Sequence, residues 1–296
     1  MKKIISTALL SFVCVTAVMS TETTQEITKE SVFSHKIKVN EPDEVIELAA
    51  REFAKNIKVY KELAIASKLV YEDNPNTLSK LYPSFEFAQD AYVSSKGLYI
   101  RVGVDEKDKA VLVLYRGTEL SNLDQWLANI SQALSGDSEL YREAVSFTKS
   151  TKDKYQGYSF TLAGHSLGGG LAMHSALAIN GVDAYTFNLA FPNSYGIQNR
   201  TIQRYTEGLA KGGMFKRSNI TNLIVEGDEI ENMALFRFLG LPGAKYILSH
   251  HDVKKNSKRN HYIDEVIHKL ERLETLGEAE LRAVGRSSYA GRGIIQ

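Results

Sequence analysis

The chain is poor in the features that mark several other classes of protein. Its 296 residues contain one cysteine, Cys14, so no disulfide framework and no cysteine-rich metal centre can be built from it. Neither sign of charge dominates, with 36 Lys and Arg against 35 Asp and Glu, and no basic face for nucleic acid is implied. The seven histidines lack a helical pairing with carboxylates of the kind that holds zinc. No metal and no other cofactor is therefore expected. The longest apolar stretch near the N-terminus, Ile4 to Val18, is short for a membrane span and is interrupted by Ser and Thr.

What is present in that stretch reads as an export signal. Lys2 and Lys3 precede the apolar run, and small residues follow around Ser20 and Thr21, which places cleavage after Ser20 and sends the chain to the periplasm or the medium. Cys14 lies inside the segment behind Phe12 and Val13, where a lipoprotein site would need a small residue. A processed chain would carry no thiol, and loss of Lys2 and Lys3 would leave 34 cations against 35 anions. The alternative is an uncleaved anchor.

Residues 21–43 are polar and charged and read as a flexible linker. With 43% hydrophobic residues the remainder can bury one good-sized core, so residues 44–275 are read as one α/β domain and residues 276–296 as a loosely ordered tail. Within the domain, apolar residues at helical spacing between Glu44 and Val70 predict helix ahead of the sheet. Strands are predicted at Leu98 to Val104, from Ala110 into an Arg-Gly-Thr turn, at Tyr158 to Ala163, at Ala184 to Asn188 and from Thr221. Strands that alternate with helices argue for a mainly parallel, doubly wound sheet.

The run Thr161-Leu-Ala-Gly-His-Ser-Leu-Gly-Gly-Gly170 puts a serine between small residues where a strand turns into a helix. That is the pattern of a nucleophile elbow. Gly164 and Gly168 stand two residues either side of Ser166, where a strained nucleophile needs neighbours without side chains, and Gly169 and Gly170 let the helix pack closely. The backbone N–H of Leu167, at the positive end of that helix, is one half of an oxyanion hole. Thr118, after the buried strand from Ala110, is placed to supply the other half through its backbone and its hydroxyl.

Tyr115-Arg-Gly-Thr118, Asp124-Gln-Trp126 and Gly164-His-Ser-Leu-Gly-Gly169 together resemble the class 3 lipase family, the fungal-type lipases and their bacterial relatives, over roughly Val59 to Leu270. The resemblance implies an α/β-hydrolase fold, a Ser-Asp-His triad in that chain order and no catalytic metal. It places the nucleophile on Ser166 and the acid on Asp228, which ends the β-rich run Thr221-Asn-Leu-Ile-Val-Glu-Gly-Asp228. Asp183 lies at the wrong end of its strand, and Glu226 is assigned to the strand before the turn. The chain departs from the family pattern at Glu229-Ile-Glu-Asn232, where the family has Val-Pro after the acid.

The base must follow Asp228, which leaves His250, His251, His261 and His268. Ile263, Val266, Ile267 and Leu270 form one helical face and turn His268 toward solvent. His250 and His251 stay open as rivals of His261. The resemblance favours His261, because the family carries its histidine just before a terminal helix. His165 is read as a packed, hydrogen-bonded residue rather than a catalytic one.

The chemistry implied is hydrolysis of carboxylic esters of lipids, of the triacylglycerol lipase or phospholipase A1 type, through an acyl-enzyme. A lipid or other ester is the expected partner, at a lipid surface. Leu123, Trp126 and Leu127 belong to an amphipathic segment, residues 119–130, that is either a fixed helix packed on the sheet or, as its match to the family's lid region implies, a mobile cover of the site, and Met233 to Leu241 is either a further apolar surface or a core helix. The second reading is a non-enzymatic α/β-hydrolase-fold module that binds a lipid or a partner. Oligomeric state is not written in the sequence.

Overall fold

A computed structural model describes residues 43–117, 139–190, 220–228, 244–248 and 258–276. Helix α1 (Asp43–Leu69) opens this region, and its 27 residues give it a length of about 40 Å. Ala50, Phe53, Ile57, Tyr60, Ala64 and Ser67 recur every three or four residues and are buried, so one continuous stripe of the helix faces the core. A 3-10 turn (Val70–Glu72) and the short helix α2 (Pro75–Leu81) lead to the sheet; Asn74 caps α2 by accepting from the N–H of Asn76.

Eight strands are described: β1 (Glu86–Phe87), β2 (Tyr92–Val93), β3 (Tyr99–Asp105), β4 (Ala110–Tyr115), β5 (Ser159–His165), β6 (Asp183–Phe187), β7 (Ile220–Val225) and β8 (Ala244–Leu248). The order across the sheet is β1-β3-β4-β5-β6-β7-β8, with β2 also paired to β3. Strand β3 is antiparallel to β4, and β4 to β8 are all parallel. Between the strands run helices α3 (Glu139–Lys154) and α4 (Leu167–Ala178), and α5 (Ile263–Glu274) follows β8.

Because successive side chains of a strand point to opposite faces, each parallel strand feeds two cores. Leu112, Leu114, Ala163, Phe187, Leu223, Val225 and Leu248 pack with α1 and α5 on one face. Val111, Val113, Tyr115, Phe160, Leu162, Ala184, Ile224 and Ile247 pack with α3 and α4 on the other. Helices on both faces explain why β4 reads as an unbroken apolar run: five of its six residues are buried. The two cores have different origins. Strands β4 to β8 lie in chain order, so crossover helices α3 and α4 share one face, and the second layer comes from the two ends of the domain. Lys68 pairs with Asp264 at 2.7 Å and Lys61 pairs with Glu274, both between α1 and α5.

The fold is therefore the α/β-hydrolase arrangement expected from the sequence, a mainly parallel sheet flanked by helices. Strand β3 is one residue later than predicted, and Glu226 sits in the turn after β7 rather than in the strand. Strand β8 and the two-residue strands β1 and β2 escaped the sequence reading. Strands of two residues have no periodicity to detect. Among the described residues no helix is long and apolar enough to cross a membrane. The proposed signal segment, all but the last residue of the linker and the tail from 277 lie outside the described residues.

Candidate active site

The C-terminal ends of parallel strands are where an open α/β sheet gathers its functional groups, and here β5, β6 and β7 deliver Ser166, Asn188 and Asp228 to one edge. Ser166 has φ 57° and ψ −124°, a conformation that L-residues rarely adopt. Such strain costs of order 1–3 kcal/mol and persists only where neighbours enforce it. Three backbone hydrogen bonds do so: the Ser166 N–H donates to Phe187 O at 3.0 Å, and Ser166 O accepts from Gly170 N at 3.1 Å and Ala190 N at 2.9 Å.

Close packing around the turn explains the flanking glycines. A Cβ on Gly164 would stand 2.4 Å from the carbonyl of Gly168, and a Cβ on Gly168 would stand 2.2 Å from Tyr115 O. Any side chain at either position would push β4 or β5 away from α4. Leu167 is the first residue of α4, which puts its N–H at the helix N-terminus beside Ser166.

His261 closes the 3-10 turn (Lys258–His261) ahead of α5. Its Nε2 lies 3.0 Å from Ser166 Oγ, and its Nδ1 lies 2.9 and 3.1 Å from the two carboxylate oxygens of Asp228. A carboxylate can only accept, so Nδ1 carries the proton and Nε2 presents its lone pair to the serine hydroxyl. All three side chains are buried, each residue at most 1% exposed, which strengthens the electrostatic coupling between them. Asp228 is held by a turn in which its N–H donates to Val225 O at 3.1 Å.

Several residues around this relay were missed or passed over in the sequence. Asn188, buried and at φ 42°, accepts from Val225 N at 2.8 Å and donates through Nδ2 to Asn260 O at 2.7 Å and His261 O at 3.2 Å. Asn260 donates to the carbonyls of Glu226 and Gly227 at 3.0 and 3.3 Å, so the Asp228 turn and the His261 loop are joined. His165 is packed and hydrogen-bonded, its Nε2–H donating to His261 O at 2.7 Å with the two imidazole centroids 5.1 Å apart. Tyr71 Oη lies 3.5 Å from His165 Nδ1 and accepts from the N–H of Gly117 at 3.1 Å. Burial, helped by the nearby His261, pushes the His165 imidazolium pKa down to about 3, so His165 is neutral at ordinary pH. An asparagine ending a strand carries no local signal that could have singled it out.

Of the residues predicted for the site, the structure brings together Ser166, Asp228 and His261, with Leu167 adjacent. His268 is exposed on α5, as its helical position predicted. Thr118, the segment with Leu123, Trp126 and Leu127, the rivals His250 and His251, and the apolar stretch from Met233 lie outside the described residues. Among the described residues no cluster of three or more His, Cys, Asp or Glu could hold a metal ion. Chemically, the arrangement can deprotonate a serine hydroxyl and return the proton to a leaving group.

Comparison with known proteins gives a family. Residues 62–239, more than half of the chain, match the model of the phospholipase-like family described as the Tle-like phospholipase domain. The extracellular phospholipase A1 of Serratia liquefaciens is 38% identical over 105 residues, which cover 36% of this chain and 32% of that protein. The match thus spans about a third of the length of the curated relative. Among solved structures, the Rhizomucor miehei lipase propeptide complex is similar with TM-score 0.46 and 16% identity, covering 65% of this chain and 68% of that one. The Lip2 lipase of Yarrowia lipolytica is similar with TM-score 0.45 and 15% identity, over 66% of this chain and 79% of its own. The lipase-like resemblance carried by the elbow and the Arg-Gly-Thr turn agrees with the family model, and the chain belongs to the phospholipase-like family, as a Tle-like phospholipase domain.

Proposed function

We propose that the protein hydrolyses carboxylic ester bonds of lipids, with Ser166 as nucleophile, His261 as general base and acid, and Asp228 as the group that orients the base. The observation that carries this reading is the unbroken relay from Asp228 through His261 to Ser166, at 2.9 and 3.0 Å, ending on a serine held at φ 57°. In the first half-reaction Ser166 Oγ attacks the ester carbonyl as its proton passes to His261 Nε2. The imidazolium is stabilised by the Asp228 carboxylate. Collapse of the tetrahedral intermediate expels the alcohol, which takes the proton from Nε2, and leaves an acyl-serine. Water then enters and attacks the acyl carbon as it loses a proton to the same nitrogen, and collapse releases the fatty acid while Ser166 Oγ takes that proton back.

The negative oxygen of each intermediate would be met by the Leu167 N–H at the α4 N-terminus and by Thr118. Losing one such donor costs on the order of 3 kcal/mol of transition-state stabilisation. Phospholipid is favoured over triacylglycerol as substrate by the family description and by the name of the Serratia liquefaciens relative. Export is supported by the segment from Lys2 to Thr21 and by the word "extracellular" in that name.

Ser166→Ala tests the chemistry. Ester hydrolysis of a p-nitrophenyl acyl ester should fall by several orders of magnitude with an unchanged circular dichroism spectrum. Turnover within tenfold of the parent would remove Ser166 from the mechanism. Release of fatty acid from phosphatidylcholine vesicles and from emulsified triolein, compared side by side, tests the substrate class. Faster release from triolein would reverse that preference and leave the esterase reading standing.

A further inference from the structure

A general base works only if its nitrogen is aimed at the proton it takes, and a side chain can be aimed no better than the backbone that carries it. The His261 side chain is held at both ring nitrogens by catalytic partners, so its backbone has to be fixed by others. The peptide oxygen of His261 is where that happens. It accepts from His165 Nε2 at 2.7 Å and from Asn188 Nδ2 at 3.2 Å, two donors from two strand ends.

Both donors are themselves immobilised. His165 is the last residue of β5 and the chain neighbour of Ser166, fully buried, with its Nδ1 turned to Tyr71 Oη. Asn188 follows β6 directly, is fully buried, and has both ends of its amide engaged: Oδ1 by Val225 N, Nδ2 by the carbonyls of 260 and 261. A shift of the His261 carbonyl would therefore break bonds to His165 beside the nucleophile elbow and to Asn188 after β6, whose amide oxygen also holds Val225 of β7. A buried carbonyl left without donors is strongly disfavoured, which opposes any such shift.

We propose that His165 and Asn188 are positioning residues, which grip the backbone carbonyl of His261 and thereby set the aim of its imidazole at Ser166 Oγ. The proposal rests on reading Ser166, His261 and Asp228 as the triad. Neither residue touches substrate; both act through His261. Neutrality of His165 fits the role, because a second cation beside His261 would oppose the imidazolium formed in each half-reaction.

The test is a double-mutant cycle on the full-length protein, read by kcat on a p-nitrophenyl ester and by the rate of fluorophosphonate labelling of Ser166, both per folded molecule. His165→Leu removes the donor and His165→Gln keeps an N–H at the position of Nε2. Asn188→Asp keeps shape, tolerance of positive φ and the acceptor for Val225, and replaces the donor by an oxygen. A misplacement approaching 1 Å costs about 10²-fold, so His165→Leu and Asn188→Asp should each lower kcat about 10- to 100-fold with KM changed less than about threefold. His165→Gln should recover most of that loss. In a His261→Ala background, His165→Leu and Asn188→Asp should lower the remaining labelling rate less than about twofold, because their effect passes through the base.

Equal losses in the parent and His261→Ala backgrounds would mean a general effect on the fold and would overturn the proposal, as would kcat within threefold of the parent for both. If His165→Leu does not fold, Asn188→Asp alone carries the cycle and its outcomes decide in the same way. High activity of His261→Ala itself would instead sink the triad reading, so the two failures are distinguishable.

Discussion

Gly168→Ala separates packing from chemistry at the elbow. A Cβ added there lies 2.2 Å from Tyr115 O and 3.0 Å from Gly117 N, against an ordinary carbon to oxygen approach of about 3.3 Å. The end of β4 and the first turn of α4 must therefore move apart by about 1 Å. Neither partner is a side chain that can rotate away: Tyr115 is paired with Gly164 in the sheet, and Gly168 is the second residue of the helix that begins beside Ser166. Overpacking of this kind costs about 1–3 kcal/mol, and the better helix propensity of alanine offsets about 1 kcal/mol of it. A net loss of about 0–2 kcal/mol lowers Tm by at most about 8 °C for a domain of this size. The effect on turnover should be larger in proportion, because the same 1 Å lies between Leu167 and the Arg116-Gly117 segment that follows β4, and displacements of that size cost about 10²-fold in rate. Gly157→Ala is the control. Gly157 has φ 84° with nothing within 4 Å of an added Cβ, so alanine there should cost about 1–2 kcal/mol of stability and leave kcat untouched. Urea denaturation and kcat per active site, measured on both variants, give the comparison. A Gly168→Ala enzyme with kcat within threefold of the parent would refute the reasoning, because the close approach of β4 to α4 would then not set the geometry of the site.

Asp228→Asn should lower kcat by about 10⁴-fold with little change in stability, because an amide no longer fixes the Nδ1–H tautomer of His261; a loss under tenfold would show that Asp228 does not orient the base. His165 has a folded pKa of about 3 against 6.5 unfolded, so the unfolded chain binds the extra proton between those values. Stability from this residue is complete above pH 6.5 and is lost as pH falls toward 3, with a slope of at most about 1.4 kcal/mol per pH unit. Urea midpoints of the parent should therefore drop more steeply between pH 6.5 and 4 than those of His165→Gln, and parallel curves would contradict the buried neutral state. Arg101 is buried in β3 and donates to Ala88 O and Gln89 O at 2.8 and 2.7 Å, to Tyr99 Oη at 2.8 Å and to Asp73. Arg101→Met leaves an exposed Asp73 rather than a buried charge, so the loss of these hydrogen bonds should cost about 1–3 kcal/mol by urea denaturation, and no measurable loss would make this network dispensable.

The elbow was legible in the sequence because its causes are local. A serine at φ 57° needs small residues two positions away on each side, and Gly164 and Gly168 occupy those positions. Helix α1 and strand β4 were legible for a similar reason: a buried stripe repeats every three or four residues, and a strand covered on both faces is apolar throughout. Chain order and the resemblance singled out Asp228 and favoured His261. The contacts of the site could not be read this way, because they join residues far apart in the chain. His261 meets Ser166 across 95 residues and Asp228 across 33, and its carbonyl meets His165 across 96 and Asn188 across 73. Nothing within a few residues of Asn188 announces that its amide will tie two loops together. Local periodicity and steric demand specify which elements form and where the chain must turn. Which polar groups then face one another is decided by the register of the parallel strands and the docking of α5 on α1, and both are set only when the two cores pack.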